Sequence, residues 1–307
     1  MAVRVIAKVA DAYKLDKKTK RVFHKWGAVA FDDRILRYGQ EYVSIRTWTG
    51  RQQISFTTGE RDRQLLNSRR GESDLVYRQG KWYLLATINV SEPPLAQTTG
   101  FLGLDLGITR LATDSDGQSF TGAHVRSLRR RHRKLRARLQ RKGTRSARRR
   151  LRDRRRKESR FAKDVNHRLS KEIVAKAKRT NRTIVLEDLT GIRSRVRATK
   201  AQRTLLVNWA FCQLRRFVEY KAKLAGVPVV AIDPANTSRE CAECGHVCQA
   251  NRRSPQVFKC RQCGHARHAD VNAARVIASR AAVNRPNADR SDSPKEAASR
   301  LTLGGGR

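Results

Sequence analysis

Three acidic positions in this 307-residue chain have the setting of metal ligands. Asp105 lies in the apolar run of FLGLDLGITRLATDSDGQSF, residues 101 to 120. The stretch predicts a strand, a tight bend, a second strand, an Asp116-Gly117 hairpin turn and a third strand. A charge placed in such a strand is costly unless it has a partner. A divalent metal is the usual partner, and a purely structural acid is the bland alternative. Glu187 and Asp188 follow a second buried-type strand, Ile184-Val185-Leu186, in TIVLEDL. Being neighbours, they point to opposite faces, so only one can face the side of Asp105. Asp270 opens an amphipathic helix carrying Val271, Ala274 and Ile277 in HADVNAARVIASR, where its bland role is a helix cap. Three acids at strand ends and a helix start suit two-metal phosphodiester hydrolysis. Two Mg²⁺ or Mn²⁺ ions about 3.5–4 Å apart would clamp the attacking and leaving oxygens. Magnesium needs only one or two carboxylates per ion, so three acids suffice.

A second metal chemistry is written in cysteine. Cys241-Ala-Glu-Cys244 and Cys260-Arg-Gln-Cys263 are fifteen residues apart, and each pair continues with Gly-His. The glycine lets the chain turn so that both sulfurs and the backbone face one ion. This is the zinc-ribbon pattern, tetrahedral with four thiolates. Two disulfides in a secreted protein are the alternative. A segment of about 25 residues is too short to bury a useful core, so zinc itself would hold it. Cys248, His246, His265 and His268 are spare ligands that a closed four-thiolate site does not need. Cys212, in an apolar helical stretch, is expected to be an inert buried thiol.

The elements that must position these groups sit in a strongly basic chain. There are 68 Lys and Arg against 27 Asp and Glu, a formal charge of +41. So large a charge implies a polyanionic partner, a nucleic acid. The 39% hydrophobic content still allows one or two real cores. No run approaches the ~18 apolar residues of a membrane span. Arg4 and Lys8 interrupt the N-terminal apolar residues, which argues against a signal peptide.

Residues 1 to 26 predict a helical segment that is already periodic at Ala2-Val3-Arg4-Val5-Ile6. Residues 27 to 99 are β in pattern. Tyr42–Trp48 alternates, Thr49-Gly50 turns, and a strand follows over 53–58. Val76–Arg78 and Trp82–Ile88 flank Gln79-Gly80 as a hairpin, and Pro93-Pro94 closes the tract. Residues 100 to 281 carry the acids and the cysteines. The polar remainder, 282 to 307, is expected to be disordered.

Residues 126 to 160 hold 20 Lys and Arg against 2 acids, a net +18 over 35 residues. Blocks of like charge favour disorder. Yet Val125, Leu128, His132, Leu135 and Leu139 recur at helical spacing. Lys142-Gly143-Thr144 breaks the run, and Leu151, Phe161, Val165, Leu169 and Ile173 continue it. The expectation is a helical hairpin over 125–178 with a cationic outer surface. Arg129, Arg130, Arg133, Lys134, Arg149 and Arg156 are its candidate phosphate contacts.

The order GLDLG, basic hairpin, IVLEDL, long helix, VPVVAID, CxxCGH…CxxCGH and HADVNAAR resembles the TnpB family, RNA-guided DNA endonucleases of insertion sequences related to type V CRISPR effectors. The resemblance is strong over residues 100 to 281 and moderate over 27 to 99. It implies an α/β fold: an RNase H-like RuvC nuclease domain, preceded by a β-barrel-like wedge region over 27–99. The RuvC parts would be 100–239 and the final helix 266–281, with a zinc ribbon inserted at 240–265. By this resemblance the catalytic acids are Asp105, Glu187 and Asp270 with Mg²⁺ or Mn²⁺. Zinc would be held by Cys241, Cys244, Cys260 and Cys263. The partners implied are a guide RNA and a target DNA, with no membrane, in a cytoplasmic, nucleoid-associated setting. TnpB-like proteins normally carry a further N-terminal segment. With only about 25 residues before the β tract, the resemblance implies either a naturally shortened member or a truncated chain. Three functions compete: a guided nuclease, a non-cleaving RNA-guided DNA-binding protein of repressor type, and a strand-joining transposase.

Overall fold

The structure is a computed structural model that describes residues 2–107, 110–121, 123–188 and 211–283. The chain divides into two compact units, Met1–Ser91 and Glu92–Arg307. The tail expected to be disordered lies, from residue 284, outside the described residues.

The first unit opens with helix α1 (Ala2–Leu15). The helix is shorter than the 26 residues expected. Past Leu15 the carboxylate of Asp16 accepts from the Lys18 amide at 2.9 Å, a local turn that competes with the helix. Two three-stranded antiparallel sheets follow. One has the order β1 (Val29–Phe31), β5 (Arg69–Arg78), β6 (Lys81–Ile88). The other runs β2 (Leu36–Tyr38), β3 (Tyr42–Thr47), β4 (Gly50–Ser55). A short helix, α2 (Glu60–Leu65), links β4 to β5. Phe31, Leu36, Val43 and Ile45 form a small core with Leu75 and Leu84 packed on it. Strand β4 starts at 50, not 53, because Thr47 pairs with Gly50 and the turn is Trp48-Thr49. Every residue of β4 is exposed, so it offers no alternation to read.

The second unit is built on a five-stranded sheet of order β11-β10-β7-β8-β9. Its strands are β7 (Gly100–Asp105), β8 (Arg110–Asp114), β9 (Ser119–Thr121), β10 (Arg182–Glu187) and β11 (Val229–Ile232). β7, β8 and β9 form an antiparallel meander, and β10 runs parallel to both β7 and β11. Helix α3 (Ala123–Lys142) and helix α4 (Arg145–Arg179) lie between β9 and β10. Helix α5 (Phe211–Ala225) connects toward β11, and α6 (Ala269–Val283) follows the cysteine knuckles.

Strand alternation sorts the two faces of this sheet. Leu102, Leu104, Ile184 and Leu186 face one way and pack with Leu169, Ile173, Val174 of α4 and Leu214, Val218, Ala222 of α5. Phe101 and Val185 face the other way and pack with Ile277 and Ala281 of α6. The result is a helix–sheet–helix sandwich. At Gly103 a Cβ would stand 2.0 Å from the Ala274 carbonyl oxygen and 2.6 Å from the Ala278 amide. Glycine there lets the backbone of α6 rest directly on β7.

The basic stretch folds as two long helices. Gly143, at φ +63°, ends α3, and Thr144 caps α4 by accepting from the Ala147 amide at 3.2 Å. Val125, Leu139 and Ala147 are buried. His132 meets Glu158 at 3.0 Å, and Arg136 reaches the same carboxylate at 2.7 Å. Burial pushes the His132 imidazole below its ordinary value, with Glu158 opposing the shift. Among the described residues no helix is long and apolar enough to cross a membrane.

Candidate functional site

Asp105 is the last residue of β7 and Glu187 the last of β10, where the sequence reading had put Asp105 inside its strand. Leu186 pairs with Leu104 in parallel register, so the two acids stand one step beyond, side by side at the same strand ends. Both fall on the α6 face by alternation. Asp270 stands in the first turn of α6, over that face. Asp188 falls on the opposite face, where Arg215 of α5 donates to it at 2.7 Å.

The Asp105 carboxyl feels the charges of the other two. Burial, and then the charges of Glu187 and Asp270, hold the Asp105 carboxyl up at about 8, against a smaller opposing pull from Arg252. Burial also raises Glu187, partly offset by a hydrogen bond from Thr237 and by Arg280. A buried cluster of like charge without a counter-ion is unfavourable, and a divalent cation would relieve it. This donor set of hard oxygens fits Mg²⁺ or Mn²⁺.

Residues that motif reading passed over complete the site. Thr237 Oγ1 donates to Glu187 Oε1 at 2.5 Å from the loop that leads into the first cysteine knuckle. The Asp270 amide donates to Nδ1 of His268 at 3.2 Å, so His268 caps α6. Arg110, at the start of β8, has its Nε 3.9 Å from Asp270 Oδ2, and Arg252 approaches Oδ1 to 3.8 Å. These two cations border Asp270. Their only signal in the sequence is their type, because the fold brings them in, Arg110 on a strand and Arg252 on a loop.

The four cysteines converge. Their sulfurs all lie within 4.8 Å of one another. Cys241 Sγ is 3.7 Å from Cys263 Sγ, and Cys244 Sγ is 3.6 Å from Cys260 Sγ. Four sulfurs at ~2.3 Å from one tetrahedral zinc would be about 3.8 Å apart, so the cluster has the size of a zinc site. Gly245 and Gly264 take φ of +73° and +74°, and the Cys241 and Cys260 amides donate to the His246 and His265 carbonyls. The knuckles thus use these histidines through their backbone. Against the desolvation that raises it, backbone amides of Cys263 and Gln262 bring the Cys260 thiol down to about 6. Phe258 is fully buried beside Cys241, Cys260 and Ala269, so a small apolar core accompanies the cysteines. Cys212 is exposed on α5, contrary to the buried thiol expected. Counting at 100° per residue, it falls about 200° from Leu214 and so off the buried stripe of that helix.

Asn272 ties the knuckles to α6: its side chain donates to the Glu240 carbonyl at 2.7 Å and accepts from the Ala242 amide at 3.1 Å. Arg280 adds bonds to Glu240 and to the Asp233 carbonyl. The cysteine cluster is therefore anchored to the helix that bears Asp270.

Of the candidate phosphate contacts, Arg130, Arg133 and Lys134 are exposed on α3, and Arg149 and Arg156 are exposed on α4. Arg129 is on α3, and its side chain lies outside the described residues.

Parts of this chain are similar to known proteins. A family described as "Probable transposase" (OrfB_IS605) matches residues 84–192, and one described as "Cas12f1-like, TNB domain" matches 211–277. InsQ of Escherichia coli (strain K12), named as a candidate RNA-guided DNA endonuclease, is 33% identical over 218 residues, 64% of this chain and 53% of InsQ. The TnpB-like protein MJ0751 of Methanocaldococcus jannaschii is 36% identical over 104 residues, 34% of this chain and 37% of that protein. Parts of this chain are thus similar to TnpB-like proteins. The CRISPR-associated endodeoxyribonuclease Cas12f1 of Sulfoacidibacillus thermotolerans is 39% identical over 119 residues, 38% of this chain and 27% of that enzyme. The chain thus spans between about a quarter and a half of the length of these curated TnpB-like relatives. A solved Cas12f1–sgRNA–target DNA complex aligns over 84% of this chain and 68% of that one, with 18% identity and a TM-score of 0.48.

Proposed function

We propose that this chain is an RNA-guided DNA endonuclease associated with a mobile element. In this reading the sheet with α6 is an RNase H-like RuvC nuclease domain. Its parts would span 100–239 and 266–281, with a zinc ribbon at 240–265. The β-rich stretch 27–99 is a wedge-like region. Asp105, Glu187 and Asp270 are the catalytic acids. The observation that carries the reading is their convergence on one face, where burial and the charges of Glu187 and Asp270 raise the Asp105 carboxyl and leave a site that favours a cation. Bound there, Mg²⁺ would activate a water and stabilise the leaving oxygen. The residues present do the rest. The carboxylates hold the ions, Thr237 fixes the Glu187 rotamer, and Arg110 and Arg252 draw the scissile phosphate toward Asp270. The zinc ribbon fixes α6 through Asn272 and Arg280.

Guide RNA and target DNA are the partners, held by the cationic faces of α3 and α4, in a cytoplasmic, nucleoid-associated setting. The names of the relatives support guided cleavage over a repressor-like role or strand joining. So does the presence of the acid cluster, which binding alone would not need. The test is cleavage of a plasmid bearing the sequence of the copurified RNA, with and without Mg²⁺. Cleavage is expected for the wild type and not for Asp105→Ala or Asp270→Ala. Nucleic-acid binding should persist in both variants.

A further inference from the structure

The first unit carries an exposed aromatic cluster that its core does not use. Trp26 stacks on Tyr77 with ring centroids 4.5 Å apart and planes 28° from parallel. Tyr77 is paired across β5 and β6 with Trp82, centroids 5.0 Å apart, and Trp26 and Trp82 meet edge-on at 6.0 Å. The small core formed by Phe31, Leu36, Val43 and Ile45 does not include these rings. Trp26 and Trp82 remain 50% and 52% exposed. Indole surface left open to that degree is costly, and a cluster of it marks a binding surface more often than a fold requirement. Tryptophans serving only to cap the end of a sheet would be covered.

The surroundings identify the ligand's chemistry. Lys25 Nζ lies 5.5 Å from the Trp26 ring centroid. The segment leading into the cluster, Lys20-Arg21-Val22-Phe23-His24-Lys25-Trp26, alternates cations with aromatic and apolar side chains. Val22, Phe23, His24 and Lys25 are all exposed. Lys8 of α1 donates to the Ala28 carbonyl just beyond it. Arg78 and Lys81 flank the Gln79-Gly80 turn next to the Tyr77–Trp82 pair. The whole unit has 18 Lys and Arg against 9 Asp and Glu. Flat π surfaces bordered by cations match flat bases on a phosphate chain. A duplex hides its base faces and would leave the rings idle. An apolar protein partner would leave the cations unmatched.

We infer that Trp26, Tyr77 and Trp82 form a stacking platform for an unpaired RNA base, with Lys25 beside it to take the adjoining phosphate. Unpaired RNA is favoured over single-stranded DNA on one ground. Splayed bases stacked on aromatic side chains are the common mode of single-stranded RNA recognition, and the proposed function keeps an RNA bound throughout. The choice of RNA rests on that reading; the stacking does not.

The test begins with the wild-type protein purified with its bound nucleic acid. Ultraviolet crosslinking and mass spectrometry should find ribonucleotide adducts on the peptides carrying Trp26, Tyr77 or Trp82. Adducts confined to other parts of the chain, or deoxyribonucleotide adducts on these peptides, would overturn the assignment. The second arm uses RNA-stripped protein that keeps its zinc, in buffer without Mg²⁺, with a 12-nucleotide oligoadenylate and an RNA duplex of equal length. Trp82→Ala should weaken oligoadenylate binding by about 5- to 100-fold. Duplex binding and the slope of log affinity against log salt should stay as they are, and Trp82→Phe should restore most of the loss. Equal weakening for single strand and duplex, or none for either, would overturn the platform. Absence of any copurified RNA would count against the guided reading alone, because oligoadenylate binding still tests the stacking.

Discussion

Asp105 stabilises the metal-bound protein and weakens the metal-free one. Its carboxyl titrates near 8 in the fold against 3.8 for an ordinary aspartate. Between those values the folded protein keeps a proton that the unfolded chain has lost. The unfolded state is favoured progressively as pH rises from about 4 to about 8. Asp105→Asn should therefore raise the melting temperature of metal-free protein at pH 8 and change it little at pH 4, while abolishing cleavage. For the same reason a divalent ion must displace that proton below pH 8. Apparent Mg²⁺ affinity, read by calorimetry, should increase with pH up to about 8 and then level off. A flat profile between pH 6 and 8 would contradict the coupling. The acids stood out in the sequence because Asp105 and Glu187 come at apolar runs and Asp270 opens an amphipathic helix. The choice between Glu187 and Asp188 was not, since it depends on the pairing of Leu186 with Leu104 across strands 82 residues apart. Thr237, Arg110 and Arg252 were illegible for a related reason: loop geometry brings in Thr237 and Arg252, and strand pairing brings in Arg110. Cys212 failed because an apolar neighbourhood was read without assigning the residue to a face.

Among elements, α6 is the hinge of the site, and two features fix it. The first is its seat on β7. Gly103→Val would drive a side chain into the Ala274 carbonyl, with a cost of about 1–3 kcal/mol or more and displacement of Asp270. Thermal unfolding and cleavage should fall together; an unchanged melting temperature would show that the close approach is not needed. The second is the cysteine cluster. One zinc per chain is expected by elemental analysis, lost in Cys241→Ser or Cys263→Ser together with most cleavage, whereas Cys248→Ser and Cys212→Ser should keep both. The helical hairpin makes a separate prediction. Arg130→Gln with Arg133→Gln should weaken nucleic-acid binding irrespective of base sequence. The change should reduce the salt slope by roughly 0.7–0.9 per lost phosphate contact. Leu139→Ala should instead cost about 2–5 kcal/mol of stability, since Leu139 is buried between the helices. The hairpin was legible through its 3-4 spacing despite the charge. The strands β4 and β5 were not read to their true bounds, because exposed polar residues at Gly50–Gln53 and Arg69–Glu72 carry no alternation.

At the scale of the whole molecule, a formal charge of +41 requires a polyanion, and a site built from three acids requires a cation within it. The two demands are compatible because the acids are half-buried at two strand ends and a helix start, while the arginines of the hairpin line exposed helix faces. A polyphosphate chain can lie along those faces and present one phosphate to the acids, between Arg110 and Arg252. Substitutions on the hairpin should therefore change affinity and salt dependence, and those at the acids should change turnover. The proposed cleavage is carried out by the acids on the α6 face. Its most direct measurement is Mg²⁺-dependent cleavage of DNA matching the copurified RNA, compared for wild type, Glu187→Gln and Asp188→Asn. Cleavage should fall by more than about a hundredfold in Glu187→Gln, with RNA retained, and stay within a few-fold of wild type in Asp188→Asn. Full activity in Glu187→Gln, or loss in Asp188→Asn with the fold intact, would contradict it.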